Sequence, residues 1–218
     1  MLEVWGFFSY RVFRINWILE EFKIPYTVHN IGSRTGETQT KKYLKMNPKG
    51  KIPILKHNNL IITESLAAIN YIANNFKKRE GFYFPTDKAK MAKIDEWNIF
   101  CAMELDCLGI YILRKHGRKK NYGLSEIYGR APNAIKAAEE HFIKMIKACD
   151  HKIPKNNFLL GPKVSCADIM FMSCLQAAKF FKIKMASSRA SKYYERVKQK
   201  KEYINAFKKT YGEHNLIL

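Results

Sequence analysis

Two short segments carry the residue types of a peptide-binding site. Asn47-Pro48-Lys49-Gly50-Lys51 forms a turn signal that delivers the apolar run Ile52-Pro53-Ile54-Leu55. Proline cannot donate to a strand ladder, so within such a run it marks an edge, a strand start or a bulge. The cis form of an X-Pro bond costs only about 0.5–1 kcal/mol over trans. A cis Ile52–Pro53 bond would leave the N–H and C=O of Ile52 outside the ladder, free to receive an extended peptide as an added strand. Further on, Thr63-Glu64-Ser65 precedes the periodic run Leu66, Ala67, Ile69, Tyr71, Ile72 and reads as a helix N-terminus. The free N–H groups and positive dipole end there attract a carboxylate, and Glu64 supplies a partner for an ammonium. The expected ligand is a small zwitterionic peptide.

The elements that must hold these segments are legible around them. Leu2 to Gly6 is a short strand, Arg11 to Lys23 a helix with Val12, Ile15, Ile18, Leu19 and Phe22 at helical spacing, and Tyr26 to Ile31 a β-rich run after Pro25. Ile52 to Lys56 and Leu60 to Ile62 flank the hairpin-type turn His57-Asn58-Asn59, and Ser65 to Asn75 closes the unit as a helix. This β-α-β, β-β-α order matches a thioredoxin-like fold. Lys77 to Asp87, with Gly81 and Pro85, reads as a linker, and helical periodicity dominates beyond it: Lys90 to about Lys115, Ala131 to Cys149, Ser165 to Phe181 and Ala190 to about Lys209. The expected architecture is α/β plus all-α: a domain over 1–78, a linker over 79–88, and a helical bundle domain over 89–218.

The pairing of the two site segments resembles the glutathione S-transferase family, and the likeness runs through most of the chain. Leu2-Glu3-Val4-Trp5-Gly6 and Trp17 to Tyr26 are similar to that family's first strand, first helix and entry to the second strand. Tyr43 to Leu55 is similar to the segment leading to its cis-proline. Gly161-Pro162-Lys163-Val164-Ser165-Cys166-Ala167-Asp168-Ile169 is similar to its capping-box motif. The Ser165-x-x-Asp168 spacing assigns Asp168 to folding, not catalysis.

The resemblance implies glutathione as co-substrate and places the chemistry in the loop Phe7-Phe8-Ser9-Tyr10. A thiol of pKa near 8.5 is only about 3% thiolate at pH 7, and lowering that pKa by two units requires about 2.7 kcal/mol of selective stabilisation. A hydroxyl donating to sulfur, with the N-terminus of the following helix, is suited to supply it. Ser9 matches the family's serine in its serine-type classes, and its alternative role is a plain N-cap. Tyr10 is the second donor, or a ring lining the pocket for the second substrate. The loop lacks a cysteine, which argues against members that form mixed disulfides. By the same resemblance Ile52 bonds the cysteinyl backbone, Pro53 fixes the geometry, Glu64 and Ser65 hold the γ-glutamyl ammonium and carboxylate, and Lys51 meets the glycyl carboxylate. Thr38 and Gln39 lie in a region that often helps.

The second-substrate pocket is expected between Phe8 and Tyr10 and the face of the long helix bearing Met103, Cys107 and Tyr111 at i, i+4, i+8. Such a stripe can equally be core. Trp97 reads as structural, and Glu104 as a partner for Arg11 or Arg14. The resulting expectation is a dimeric transferase in which a glutathione thiolate attacks a hydrophobic electrophile. The alternatives are another glutathione-dependent enzyme (isomerase, ether-cleaving lyase or disulfide reductase) or a non-catalytic protein of the same fold that binds ligands or partners.

Composition bounds these readings. The 218 residues carry a net charge of +20, but the excess is scattered, and 30 lysines stand against 9 arginines. Phosphate and base-edge recognition favours arginine's planar fork, so the charge reads as solvated surface, with no nucleic-acid partner. The five cysteines form no C-x-x-C pair, which predicts reduced thiols and no metal. No run approaches the roughly 18 apolar residues of a membrane span, and no secretory signal is visible. A cytoplasmic protein without membrane contact is expected.

Overall fold

The computed structural model describes residues 1–33, 35–77, 80–117 and 123–212. The basic runs Lys77-Lys78-Arg79 and Arg118-Lys119-Lys120 and the start of the expected linker at residue 79 fall wholly or partly outside them. The chain forms two compact units. One comprises Met1–Phe84 with the segment from Lys198, the other Pro85–Val197.

The first unit is built on β1 (Leu2–Trp5), α1 (Tyr10–Phe22), β2 (Thr27–His29), α2 (Lys41–Met46), β3 (Ile54–His57), β4 (Leu60–Ile62) and α3 (Ser65–Asn75). The sheet order is β2-β1-β3-β4. β1 runs parallel to β2 and antiparallel to β3, and β3 pairs antiparallel with β4. This is the expected thioredoxin-like order. In β1 the strand period sends Leu2 and Val4 into the core and Glu3 and Trp5 to the other face. α1 buries Val12, Phe13, Ile15, Trp17, Ile18 and Leu19 completely. It ends where Lys23 turns left-handed (φ 52°), two residues before Pro25, which cannot continue a helix.

The second unit is helical: α4 (Lys88–Phe100), a π-helical stretch (Cys101–Ile110), α5 (Tyr111–His116), α6 (Ser125–Tyr128), α7 (Pro132–Cys149), α8 (Cys166–Phe180) and α9 (Ser188–Val197). The expected single helix from Lys90 to Lys115 is thus helical throughout but widens over ten residues to i→i+5 bonding. Within it Gly109 packs closely on α7: a Cβ there would lie 3.1 Å from the Phe142 ring, a contact tighter than side chains usually make. α8 opens on the expected capping box. Buried Asp168 accepts from the N–H of Ser165 (2.7 Å), the hydroxyl of Ser165 (2.6 Å), the N–H of Leu159 (2.7 Å) and the hydroxyl of Tyr193. Trp97 stacks edge-on with Phe171 at 5.4 Å, a structural role as expected.

The predicted helix from Ala190 to Lys209 is two helices. α9 ends at Val197, Lys200 is extended (φ −62°, ψ 136°), and α10 runs over Lys201–Tyr211. The apolar spacing carries the cause: no apolar residue falls between Val197 and Tyr203, so a single helix would lose its buried stripe for more than a turn. α10 packs on α1 within the first unit. Phe13 and Trp17 meet Tyr203 edge-on at 4.9 and 5.1 Å, and Asn16 Nδ2 donates to Thr210 Oγ1 at 2.9 Å. The residues from Lys198 therefore join the sheet unit, whereas the sequence reading grouped all of 89–218 with the helical domain. No helix among the described residues is long and apolar enough to cross a membrane.

Candidate functional site

Register brings the site segments to one end of the sheet. The last residue of β1, Trp5, faces the first of β3, Ile54, and Leu55 faces the last of β4, Ile62. The loop after β1, the turn before β3 and the start of α3 after β4 consequently converge on one edge. Gly6 permits the closest approach. Its φ is +147°, and a Cβ there would stand 2.6 Å from Val12 Cγ2 and 3.3 Å from Ile52 Cβ. A side chain at this position would push the loop off the Ile52 segment.

The loop itself is anchored by backbone. Gly6 N–H donates to His29 O (2.9 Å), Phe7 N–H to Ile31 O (3.0 Å) and Phe8 N–H to Thr210 O (2.9 Å). Phe8 adopts φ 52°, uncommon for a bulky residue, and its ring meets Tyr211 edge-on at 5.4 Å. Ser9 is the N-cap of α1. Its Oγ accepts from Arg11 N–H at 3.3 Å, and the residue is 4% exposed. A hydroxyl that accepts as a cap keeps its own proton to donate, so capping and thiol activation are compatible. Tyr10 is buried, its ring 5.4 Å from the guanidinium carbon of Arg14 and 5.6 Å from that of Arg11.

The Ile52–Pro53 bond is cis, and the ladder stops at Ile54, so Ile52 takes no part in it. The turn before it is tightly held. Lys51 O accepts from Asn47 Nδ2 (2.7 Å) and Tyr43 OH (2.8 Å), Lys49 N–H donates to Asn47 Oδ1 (3.2 Å), and Gly50 N–H to Asn47 O (2.9 Å). Burial pushes the Tyr43 phenol well above its usual range, which keeps the proton it donates. Lys51 is exposed and Ile52 8% exposed. Gln39 lies against this turn: a Cβ at Gly50 (φ 59°) would sit 2.6 Å from Gln39 Nε2, which itself donates to Thr38 Oγ1 at 3.2 Å. Thr38 and Gln39 thus border the same edge.

At the start of α3, Glu64 is the N-cap residue, but its side chain makes no capping bond. It pairs with Lys49. Ser65 is 5% exposed, and its Oγ accepts from Arg14 Nη1 at 3.1 Å. Arg14 is 2% exposed. The sequence reading passed over this role, although its i, i+4 spacing from Tyr10 and its place among apolar residues of α1 were visible. Lys49 was likewise read only as part of a turn.

In the second unit, Met103 is 52% exposed, Cys107 is exposed and Tyr111 half-buried. The buried residues of the π-helical stretch are Cys101, Leu105, Asp106, Gly109 and Ile110. The Met103–Cys107 stripe is therefore surface rather than core. Glu104 lies 2.9 Å from His141 Nε2, while Arg14 turns to Ser65.

Comparison with known proteins adds an independent line. Residues 1–74 match the family model "Glutathione S-transferase, N-terminal domain" and residues 125–210 "Glutathione S-transferase, C-terminal domain". The chain is 22% identical to glutathione S-transferase TCHQD of Arabidopsis thaliana over 188 residues, 74% of this chain and 71% of that protein. It is 29% identical to elongation factor 1-gamma 2 of Oryza sativa over 137 residues, 62% of this chain and 30% of that protein. Among solved structures, a glutathione transferase homolog from Lodderomyces elongisporus, determined with two GSH per subunit, superposes with a TM-score of 0.82 at 18% identity, over 95% of this chain and 97% of that one.

Proposed function

The chain belongs to the glutathione S-transferase family, and from that premise we propose that it binds glutathione at the edge formed by Ser9, Ile52–Pro53, Glu64 and Ser65 and activates its thiol for attack on a hydrophobic electrophile. The observation that carries the reading is the convergence of three segments, each suited to one part of the ligand. The Ile52 backbone, outside the ladder, receives the cysteinyl residue as an added strand. Ser65 and the N-terminus of α3 receive the γ-glutamyl carboxylate, Glu64 its ammonium, and Lys51 the glycyl carboxylate. The strand pairing sets the sulfur toward the loop after β1. There the Ser9 hydroxyl donates to the thiolate and the positive end of α1 favours its charge. The thiolate then forms the new S–C bond as the electrophile's leaving group or π-electrons depart. Phe8 and Tyr10, in the same loop as Ser9, offer the electrophile an aromatic wall beside the sulfur, in an enzyme that works as a homodimer.

The test is the ultraviolet thiolate absorbance of bound glutathione as a function of pH, in wild type and Ser9→Ala. A thiol pKa well below 8.5 that rises in the variant is the expected result. A low pKa that the variant leaves unchanged moves the donor role to Tyr10. A second reading, a ligand-binding protein without turnover, is favoured by the likeness to elongation factor 1-gamma 2. Glutathione binding with an unshifted thiol pKa would select it.

A further inference from the structure

Lys49 holds the carboxylate that the proposed site reserves for the ligand. Its ammonium pairs with Glu64, the two side chains being 48% and 71% exposed. Asn47 accepts from Lys49 N–H and Gly50 N–H and donates to Lys51 O, which pins the backbone of the turn that carries Lys49. A ligand whose only charge at this end is an ammonium must break the pair, and it strands Lys49 without a partner. A ligand carrying both an ammonium and a carboxylate on the same carbon inserts between the two side chains and satisfies each.

We propose that Lys49 is a specificity-determining residue that favours peptides whose first residue carries a free α-carboxylate beside its ammonium, as a γ-linked glutamyl group does, over peptides presenting an ammonium alone. The inference rests on the glutathione reading of the site and deepens it. The Lys49 ammonium takes on Glu64 the place that the ligand's ammonium would take. On binding it exchanges Glu64 for the ligand's carboxylate, which lies over Ser65 and the N-terminus of α3. Arg14, bonded to Ser65 from behind, adds a second positive charge behind the same carboxylate.

Calorimetric titration of wild type, Lys49→Gln and Lys49→Arg at low salt, with glutathione and with 4-aminobutyryl-cysteinyl-glycine, tests it. The analogue keeps the ammonium and lacks the α-carboxylate. In Lys49→Gln the analogue should bind about two- to fivefold tighter than to wild type, the range for a solvated ion pair, and glutathione should not gain. The preference for glutathione then shrinks, and Lys49→Arg retains it. An unchanged preference in Lys49→Gln, with glutathione still bound, overturns the role of Lys49 and leaves the site reading intact. No glutathione binding by wild type overturns both.

Discussion

Arg14, in the middle of the first turns of α1, donates to the hydroxyl of Ser65 at the first residue of α3, 51 positions away and fully inside the first unit. The bond ties the helix that follows the Ser9 loop to the helix that opens on Glu64. A buried guanidinium directed at a helix N-terminus also raises the positive potential there, where the proposed ligand carboxylate sits.

Replacing Arg14 by Met keeps much of the aliphatic bulk and removes the donor. Glutathione affinity should fall about fivefold, corresponding to about 1 kcal/mol for the lost orientation of Ser65. Titration of the variant checks this, and an unchanged Kd would remove Arg14 from the site.

Asp168 accepts four hydrogen bonds in a buried pocket. Asp168→Ala orphans donors on Ser165, Leu159 and Tyr193 together, so the unfolding free energy from urea titration should fall by about 3–5 kcal/mol. Because the residue is structural, the thiol pKa of glutathione bound to the folded variant should match wild type. A shifted thiol pKa would return Asp168 to the chemistry.

Glu3 lies between Lys56 and His29, 2.8 Å from each, on the sheet face away from the core. The Lys56 ammonium, and secondarily His29, hold its carboxyl below the usual carboxylate range. A depressed folded pKa contributes stability that is present above the unfolded value, about 4.3, and is lost as pH falls through the folded one. Wild type should therefore exceed Glu3→Gln in urea stability at pH 7, by less than about 1 kcal/mol, and the gap should close on acidification below about pH 4. A gap independent of pH would assign the difference to packing.

Thr210 receives Asn16 Nδ2 at its hydroxyl and Phe8 N–H at its carbonyl, and Asn16 Oδ1 is buried without a hydrogen-bond partner among the described residues. Thr210→Val preserves shape and leaves the Asn16 amide unsatisfied, at a cost of about 1–3 kcal/mol in thermal or urea unfolding. Asn16→Leu together with Thr210→Val should recover part of that loss, since both polar partners are then gone.

Much of the site was legible because its signals are local. The Asn47–Lys51 turn, the cis bond at Pro53, the cap at Ser9 and the capping box at Ser165 each depend on residues within about four positions of one another, where backbone preference and side-chain type act directly. The alternation of Leu2 and Val4 with Glu3 and Trp5, and the stripe from Val12 to Phe22, set strand and helix for the same reason. Local period failed where the chain departs from it without a breaker. The π-helical stretch retains helical spacing, so its widening to i→i+5 bonding left no mark in the apolar pattern.

The sequence by itself determined which segments form the sheet unit and that the Ser9 loop, the Pro53 turn and the start of α3 belong to it. Tertiary structure alone decided that the residues from Lys198 return to α1, that Arg14 rather than solvent faces Ser65, and that Lys49 occupies Glu64. Those contacts join positions 15 to nearly 200 residues apart. Their energies come from burial and charge pairing that exist only once the sheet has set the elements side by side, and no preference of neighbouring residues encodes them.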